Sequence, residues 1–297
     1  MRTLGKLFII ITALLALAVA FAWKHFTKPA LAAQASAATI GPPTGTTSAQ
    51  HRTTTASTRS ASAPIAESAV DKAQAFQSLK QRAKAGDAVA QRLLAETYDA
   101  CLVPNLFRDR FLQWNKRARQ DRPEQAAELD RIAQKRIELC DAVDGGAIIP
   151  QELIRGWYEQ AAANGDLAAR ARGYGMQRTP LDAATATQLL DDVVASRDPA
   201  AMRSLGATLT SSITANIGEP YKGLVSGPLA GEAWVLAACR MGYDCGPDSM
   251  DMGNLCLLGG RCLGETSEEM MFATTKTDAE RAALEQRIQQ ILDAVSP

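Results

Sequence analysis

The clearest folding signal in this 297-residue chain is WYEQAAANGDLAAR, residues 157–170. Trp157 and Ala161 are four residues apart, so they lie on one face of a helix, with a large side chain one turn from a small one. Gly165 can adopt the left-handed conformation that ends a helix, and the Asp166 carboxylate can accept backbone N–H bonds at the start of the next helix. The stretch therefore predicts two consecutive helices joined by a tight turn.

Parts of this spacing recur and extend the helical prediction over residues 66–297. Trp234-x3-Ala238-x3-Gly242 repeats the first half, and Gly86-Asp87-x2-Ala90 repeats the second. No segment alternates as a half-buried strand does, so the predicted class is all-α. Stacked units favour an irregular α-solenoid of helix-turn-helix repeats, with an ordinary helical bundle as the alternative. The residues predicted to pack the repeats are Trp157, Ala161, Gly165, Asp166, Ala169, Trp234, Ala238 and Gly242.

The segments GDAVAQRLL (86–94) and WYEQAAANGDLAAR (157–170) resemble the Sel-one-like repeat family, a relative of the tetratricopeptide repeats. The family pattern places Trp-Tyr, Ala-Ala, Gly-Asp and Ala at the offsets held by Trp157, Tyr158, Ala161, Ala162, Gly165, Asp166 and Ala169. The intervals between the repeats are uneven, which departs from a regular array. The resemblance implies a scaffold for protein–protein interaction, of a kind found in bacterial envelopes and signalling complexes.

A membrane element is predicted at the N-terminus. A short basic segment, 1–6, precedes the uncharged run LFIIITALLALAVAFAW at 7–23, which is at the short end of the length that spans a bilayer. We predict a transmembrane signal-anchor helix; a cleaved signal peptide, ending near Ala20 or Ala22, and a buried core helix are the alternatives. Residues 24–65 contain no acidic residue and little apolar surface, which predicts a disordered Ala/Ser/Thr/Pro linker.

The cysteine pattern favours disulfides. In each C-terminal pair a Gly three residues after the first Cys can turn the chain back, which favours pairs 239–245 and 256–262. Cys101 and Cys140 bracket two predicted helices and could form a third pair. A zinc site formed by the last four cysteines is an alternative, although their spacing exceeds the usual range; buried free thiols are another. The six cysteines are Cys101, Cys140, Cys239, Cys245, Cys256 and Cys262.

Charge and residue content argue against several function classes. Six Lys and Arg residues but no Asp or Glu precede Glu67, so the rest of the chain carries 26 basic and 32 acidic side chains. That formal charge of −6 argues against nucleic acid as a partner. Both histidines, His25 and His51, also precede Glu67, so we expect no His-based catalytic or metal site in the globular part. We expect no cofactor.

Together these features predict a membrane-tethered, extracytoplasmic helical-repeat protein that is not an enzyme and serves as a protein–protein interaction scaffold. Disulfides and the apolar segment favour an inner-membrane anchor with the folded domain in the periplasm, or secretion if the segment is cleaved. The partner would be another protein or an envelope component. One alternative is an inhibitor or immunity-type binder of a secreted toxin. A less favoured one is a carboxylate-dependent hydrolase of cell-wall glycan.

Overall fold

The computed structural model describes residues 69–177, 181–211, 217–259 and 262–296, and within them the protein is all-α, without a β-strand. The helices are α1 (Ala69–Lys84), α2 (Ala88–Leu106), α3 (Arg108–Asp121), α4 (Ala126–Ala142), α5 (Gln151–Ala163), α6 (Leu167–Gln177), α7 (Ala183–Ser196), α8 (Pro199–Ser211), α9 (Lys222–Val225), α10 (Ala230–Arg240), α11 (Met250–Gly259), α12 (Ser267–Ala273) and α13 (Asp278–Val295). The all-α prediction is confirmed.

The helix boundaries follow the turn residues that the sequence supplies. Gly86 and Gly165 have φ angles of 92° and 95°, in the left-handed region that glycine adopts without a Cβ clash. The next residue caps the following helix in both cases, since Asp87 accepts a bond from the Ala90 N–H at 3.0 Å and Asp166 accepts one from the Ala169 N–H at 2.7 Å. Two helix pairs, α1–α2 and α5–α6, therefore turn in the same way.

Seven helices pack one against the next in the order α1, α2, α5, α6, α8, α10 and α13. The remaining helices lie beside this row: α3 and α4 contact α2, and α11 contacts α4 and α12. Three groups of buried apolar side chains hold the structure together. One lies among α6, α7, α8, α10 and α13, one among α1, α2 and α5, and one among α3, α4 and α11.

Helix α6 joins two of these cores because its small residues face both ways. Ala168 and Ala171 are fully buried against the α8 and α10 side, whereas Ala169 is fully buried against the α2 and α5 side. Alanine at these positions lets the neighbouring helices approach closely while keeping a strong helix former in the sequence. The row of helices is thus continuous through α6.

The predicted N-terminal anchor at 7–23 and the linker at 24–65 lie outside the described residues. Among the helices that the structure does describe, none combines the length and the apolar character needed to cross a bilayer.

Candidate functional site

The residues predicted to pack the repeats lie at the turns and helix contacts of the row, but Trp157 is less deeply buried than the other apolar members of the set. Ala161, Ala169, Trp234 and Ala238 are fully buried. Gly165 and Gly242 form the left-handed turns after α5 and α10, and Asp166 caps α6. Trp157, in contrast, is only half-buried: it packs against the edge of the core among α1, α2 and α5, in which its neighbour Tyr158 is buried.

The two tryptophans that share a sequence offset therefore have different surroundings. Trp234 has no exposed surface, because α10 is surrounded by α8, α9, α12 and α13, and its Nε1–H donates to the Leu224 carbonyl at 3.1 Å. Trp157 belongs to α5, which packs mainly against α2 and α6 and leaves one side open. The spacing thus predicts which helix face turns inward, but the number of neighbouring helices determines how deeply each side chain is buried.

The structure joins the six cysteines in three pairs: Cys239–Cys245 and Cys256–Cys262, which the spacing favours, and Cys101–Cys140, which was the possible third pair. Their Cα atoms are 5.2, 5.6 and 4.7 Å apart, within the usual range for disulfides. The first bond links α2 to the end of α4, and the other two close short turns after α10 and α11. No cysteine within the described residues is free.

A cleft of about 330 Å³ lies between the row of helices and α11. Helices α2, α4, α5, α6, α8 and α11 all contribute to its walls. Its polar and charged lining side chains are Glu96, Asp99, Arg136, Tyr158, Arg172, Arg203, Tyr243, Asp251 and Asn254. This volume falls within the range of small-molecule sites, which combine a few polar groups with apolar walls. The cleft is therefore a candidate for a ligand site in the described part of the chain.

Most charges in this region are paired. The Arg92 guanidinium donates to Glu96 at 3.0 Å and to Asp166 at 3.0 and 3.1 Å, which connects α2 to the start of α6. Burial raises the pKa of Glu96 in spite of the neighbouring Arg92. The pKa of Arg92 is raised because the two carboxylates outweigh its own burial.

Two further ion pairs lie at the cleft. Arg172 donates to Asp99 at 3.0 Å, and Arg203 makes a two-pronged contact with the buried Asp251. Tyr243 lies close to the second pair, and its burial, together with the Asp251 charge, raises its pKa to about 12. These contacts tie α2 to α6 and α8 to α11, so the charged lining also holds the cleft walls in place.

Arg136 is the exception, because no carboxylate in the described part of the chain pairs with it. Its guanidinium donates instead to the Ala100 carbonyl at 3.1 Å and to Asn254 Oδ1 at 3.0 Å. The side chain is buried, and this burial lowers its pKa to about 10. A Cβ on Gly253 would lie 3.0 Å from the guanidinium, so glycine at this point of α11 makes the room that Arg136 occupies.

A second feature is an aromatic and basic strip on the outer side of α3, formed by Phe107, Arg110, Trp114 and Arg117. These residues follow helical spacing, and all four are exposed; Trp114 is 59% exposed. The Arg110 guanidinium lies over the Phe107 ring, 5.5 Å from its centroid. Neither Arg110 nor Arg117 forms an ion pair with any described residue. The strip therefore presents apolar surface and unpaired positive charge together.

Several other acidic side chains take part in structural contacts. Asp144, in the loop after α4, contacts the Lys80 ammonium at 2.6 Å and accepts a bond from the Tyr98 hydroxyl at 2.7 Å. Asp191 accepts from Tyr221 and Asp192 contacts Arg170. Glu268 contacts Arg240, and Glu269 closes the capping box at the start of α12. Within the described residues, no group of three or more His, Cys, Asp or Glu side chains could hold a metal ion.

The cleft and the α3 strip were both missed by sequence reasoning. The cleft residues are up to about 160 positions apart in the chain and share no local motif, so only the packing of the helices reveals them. The strip did carry a signal, since residues 107–117 place aromatic and arginine side chains at positions three and four apart. No protein family, curated protein or solved structure matches this chain.

Proposed function

We propose that this protein is a membrane-tethered, extracytoplasmic helical-repeat scaffold that binds a partner protein through the strip on α3. The observation that carries the proposal is Trp114, a large aromatic side chain left exposed beside two unpaired arginines. Tryptophan and arginine are enriched among the residues that dominate binding energy at protein interfaces. The row of packed helices supports the solenoid form of the scaffold, since successive layers leave long faces open to a partner.

Charge complementarity defines the partner's chemistry. Helix α3 holds five Lys or Arg residues and two Asp residues, whereas the chain after Glu67 is acidic overall. Two of those cations, Arg108 and Arg119, are held by Asp141 and Asp130, which leaves Arg110, Lys116 and Arg117 directed outward. A partner segment with carboxylates around an apolar side chain would fit the strip. We expect affinity for such a segment to fall with added salt.

Three disulfides support the compartment part of the proposal, because such bonds persist outside the reducing cytosol. Mass spectrometry of non-reduced protein from its native cells tests this directly. We expect three disulfides and no free thiol. Six free thiols would place the folded domain in a reducing compartment and remove the extracytoplasmic assignment.

Site-specific photocrosslinking tests the partner surface. A photoreactive side chain placed at Gln113 in the full-length chain, expressed in its own membrane, should capture a protein whose crosslinked segment is acidic. Replacing Trp114 with Ala or Arg117 with Glu should reduce the captured amount at least about tenfold, since each removes a central contact. Leu112→Ala is the matched control, because Leu112 is exposed on the opposite flank of the α3 buried stripe. Crosslinks to lipid alone would identify the strip as membrane-facing and contradict the proposal.

Stoichiometry separates a general scaffold from the inhibitor or immunity-type alternative. An inhibitor would form a tight complex of one protein with one toxin, which saturates at equal concentrations. A scaffold would bind more weakly and allow several partners along the helical row. Mass photometry of the crosslinked complex measures this ratio.

Glu96 favours a second candidate function, the carboxylate-dependent glycan hydrolase. It is the cleft carboxylate whose pKa is raised by burial, as a general acid requires, and Asp99 and Asp251 line the same cleft. The two aspartates are, however, held by Arg172 and Arg203. Release of reducing ends from purified cell-wall glycan by the wild-type chain, abolished in Glu96→Gln, would support this candidate. Equal release by both proteins, or none, would remove it.

A further inference from the structure

We infer that the cleft is a binding site for an organic anion, a carboxylate joined to an apolar group, with the Arg136 guanidinium as its cationic partner. This site is separate from the partner-binding strip on α3 and does not depend on it. The inference rests on three features of the cleft: a buried cation without a counter-charge, unused N–H donors beside an open cavity, and apolar side chains next to them.

The first feature is the isolation of the Arg136 charge. The two other arginines that line the cleft each have a carboxylate partner: Arg172 has Asp99, and Arg203 has Asp251. Among the described residues, the hydrogen bonds of Arg136 go to a carbonyl and an amide oxygen. Burying a charge without an opposite charge is unfavourable, and the penalty is removed when a counter-ion binds beside it.

The second feature is the geometry of the guanidinium. It has five N–H donors, and the bonds to Ala100 and Asn254 use two of them. Arg136 lines the cleft, so the remaining donors can reach a molecule within it. A planar guanidinium matches a carboxylate with two parallel hydrogen bonds. Because no carboxylate of the described residues pairs with Arg136, a single carboxylate on the ligand would give this guanidinium the partner that the other arginines of the cleft already have.

The third feature is the wall beside Arg136. Leu102, Phe111 and Leu257 line the same cleft and provide apolar surface for the rest of the ligand. A volume of about 330 Å³ accommodates a small molecule or the last residues of a chain. The ligand is therefore a carboxylate with an aliphatic or aromatic group attached. A free carboxylic acid and the C-terminal residue of a polypeptide both have this chemistry.

Titration of the purified full-length chain in detergent tests the site, with N-acetyl-L-leucine and N-acetyl-L-leucinamide as probes. The two differ only in the carboxylate charge. We expect the acid to raise the unfolding temperature in a saturable way, with a Kd of order 1 mM, and the amide to bind at least about tenfold more weakly. The pentapeptide Gly-Gly-Gly-Gly-Leu, as acid and as amide, distinguishes the two sources: binding of its acid at least as strong as that of N-acetyl-L-leucine indicates a chain end, and weaker binding indicates a free carboxylic acid.

Variants of Arg136 complete the test. Arg136→Met should weaken binding of N-acetyl-L-leucine at least about tenfold while leaving the unfolding temperature of the free protein unchanged or higher, because an unpaired buried charge is removed. Arg155→Met is the matched control, since Arg155 is exposed on α5 and should leave binding unaltered. If Arg136→Met does not fold, Arg136→Lys keeps the charge without the planar fork and should still weaken binding. Equal effects of acid and amide, or wild-type binding by the Arg136 variants, would overturn the inference without affecting capture of a protein at the α3 strip.

Discussion

Trp234 on α10 and Trp114 on α3 are the same side chain in opposite situations. Trp234 has no exposed surface, and its one polar atom is satisfied by the Leu224 carbonyl. Trp114 is 59% exposed, between two arginines that have no counter-charge among the described residues. The first side chain is explained entirely by contacts within the protein, whereas the second is not. The comparison separates what the fold requires from what is left for a partner.

Replacing each tryptophan with alanine gives the largest contrast. Trp234→Ala should lower the free energy of unfolding by about 3–5 kcal/mol, because it leaves a cavity at the centre of α8, α10 and α13. Trp114→Ala should change it by less than about 0.5 kcal/mol, as expected for an exposed position. Urea denaturation of the two variants measures the difference. A large loss of stability in Trp114→Ala would mean that Trp114 stabilises the fold. The exposed side chain would then no longer be evidence for a partner-binding strip on α3.

The contrast also explains how much of the fold was predictable from the sequence. Helix ends at Gly86-Asp87 and Gly165-Asp166 depend on residues next to one another, so local reasoning identified them correctly. The short cysteine loops 239–245 and 256–262 are local for the same reason. The shared spacing of Trp157 and Trp234 indicated that both pack against a core, but not that they differ in exposure, because burial depends on how many helices surround α5 and α10. That number is set by residues distant in the chain.

The cleft lay beyond sequence reasoning for a related reason. Arg136 differs from the other cleft arginines only in that no described carboxylate pairs with it, and the lack of a carboxylate partner is a property of the packed structure. Glu96 and Asp251 are likewise ordinary acidic residues until α2, α8 and α11 bring them to one cleft. No short motif connects these positions. The α3 strip, in contrast, is a local pattern and could have been identified from residues 107–117 alone.

Two glycines, Gly206 and Gly173, give the second contrast, with an intermediate expected effect on the free energy of unfolding. A Cβ on Gly206 of α8 would lie 2.6 Å from the Gly231 carbonyl oxygen and 2.9 Å from the Val235 nitrogen, so α10 would have to move. Gly206→Ala should therefore lower the free energy of unfolding by about 1–3 kcal/mol or more. Gly173 on α6 has open space where its Cβ would lie, and Gly173→Ala should raise it by up to about 1 kcal/mol through helix propensity.

Opposite signs for the two Gly-to-Ala substitutions in thermal or urea denaturation would establish that α8 and α10 touch through their backbones at Gly206. Trp234 belongs to the apolar core that these two helices share. If Gly206→Ala were as stable as wild type, α8 and α10 would have to lie farther apart. Trp234 would then be less tightly packed, and the difference in burial between Trp234 and Trp114 would be smaller.

Glu96 lies between Trp234 and Trp114 in exposure, since its side chain is 22% exposed. Its expected effect on the free energy of unfolding is the smallest of the three stability predictions. Burial raises its pKa in the folded state above the ordinary value of 4.5, so the folded protein binds this proton at a higher pH than the unfolded chain does. The resulting stability is fully present below pH 4.5 and is lost as the pH rises through the folded-state pKa. Glu96→Gln lacks the titrating proton and should lack this dependence.

The measurement is the difference in unfolding free energy between wild type and Glu96→Gln, from urea denaturation at several pH values between 7 and 5. As the pH falls, the free energy of unfolding of wild type should rise relative to that of Glu96→Gln. Asp87→Asn provides a control without such a shift, because the Ala90 N–H and Arg82 lower the pKa of Asp87. Its contribution to stability is lost only as the pH falls below about 4, so its difference from wild type should stay constant between pH 7 and 5. Parallel curves for wild type and Glu96→Gln would mean that Glu96 is solvated like a surface carboxylate. The cleft would then be too open to bury Arg136 without a counter-ion, so this small effect also tests the premise of the anion site.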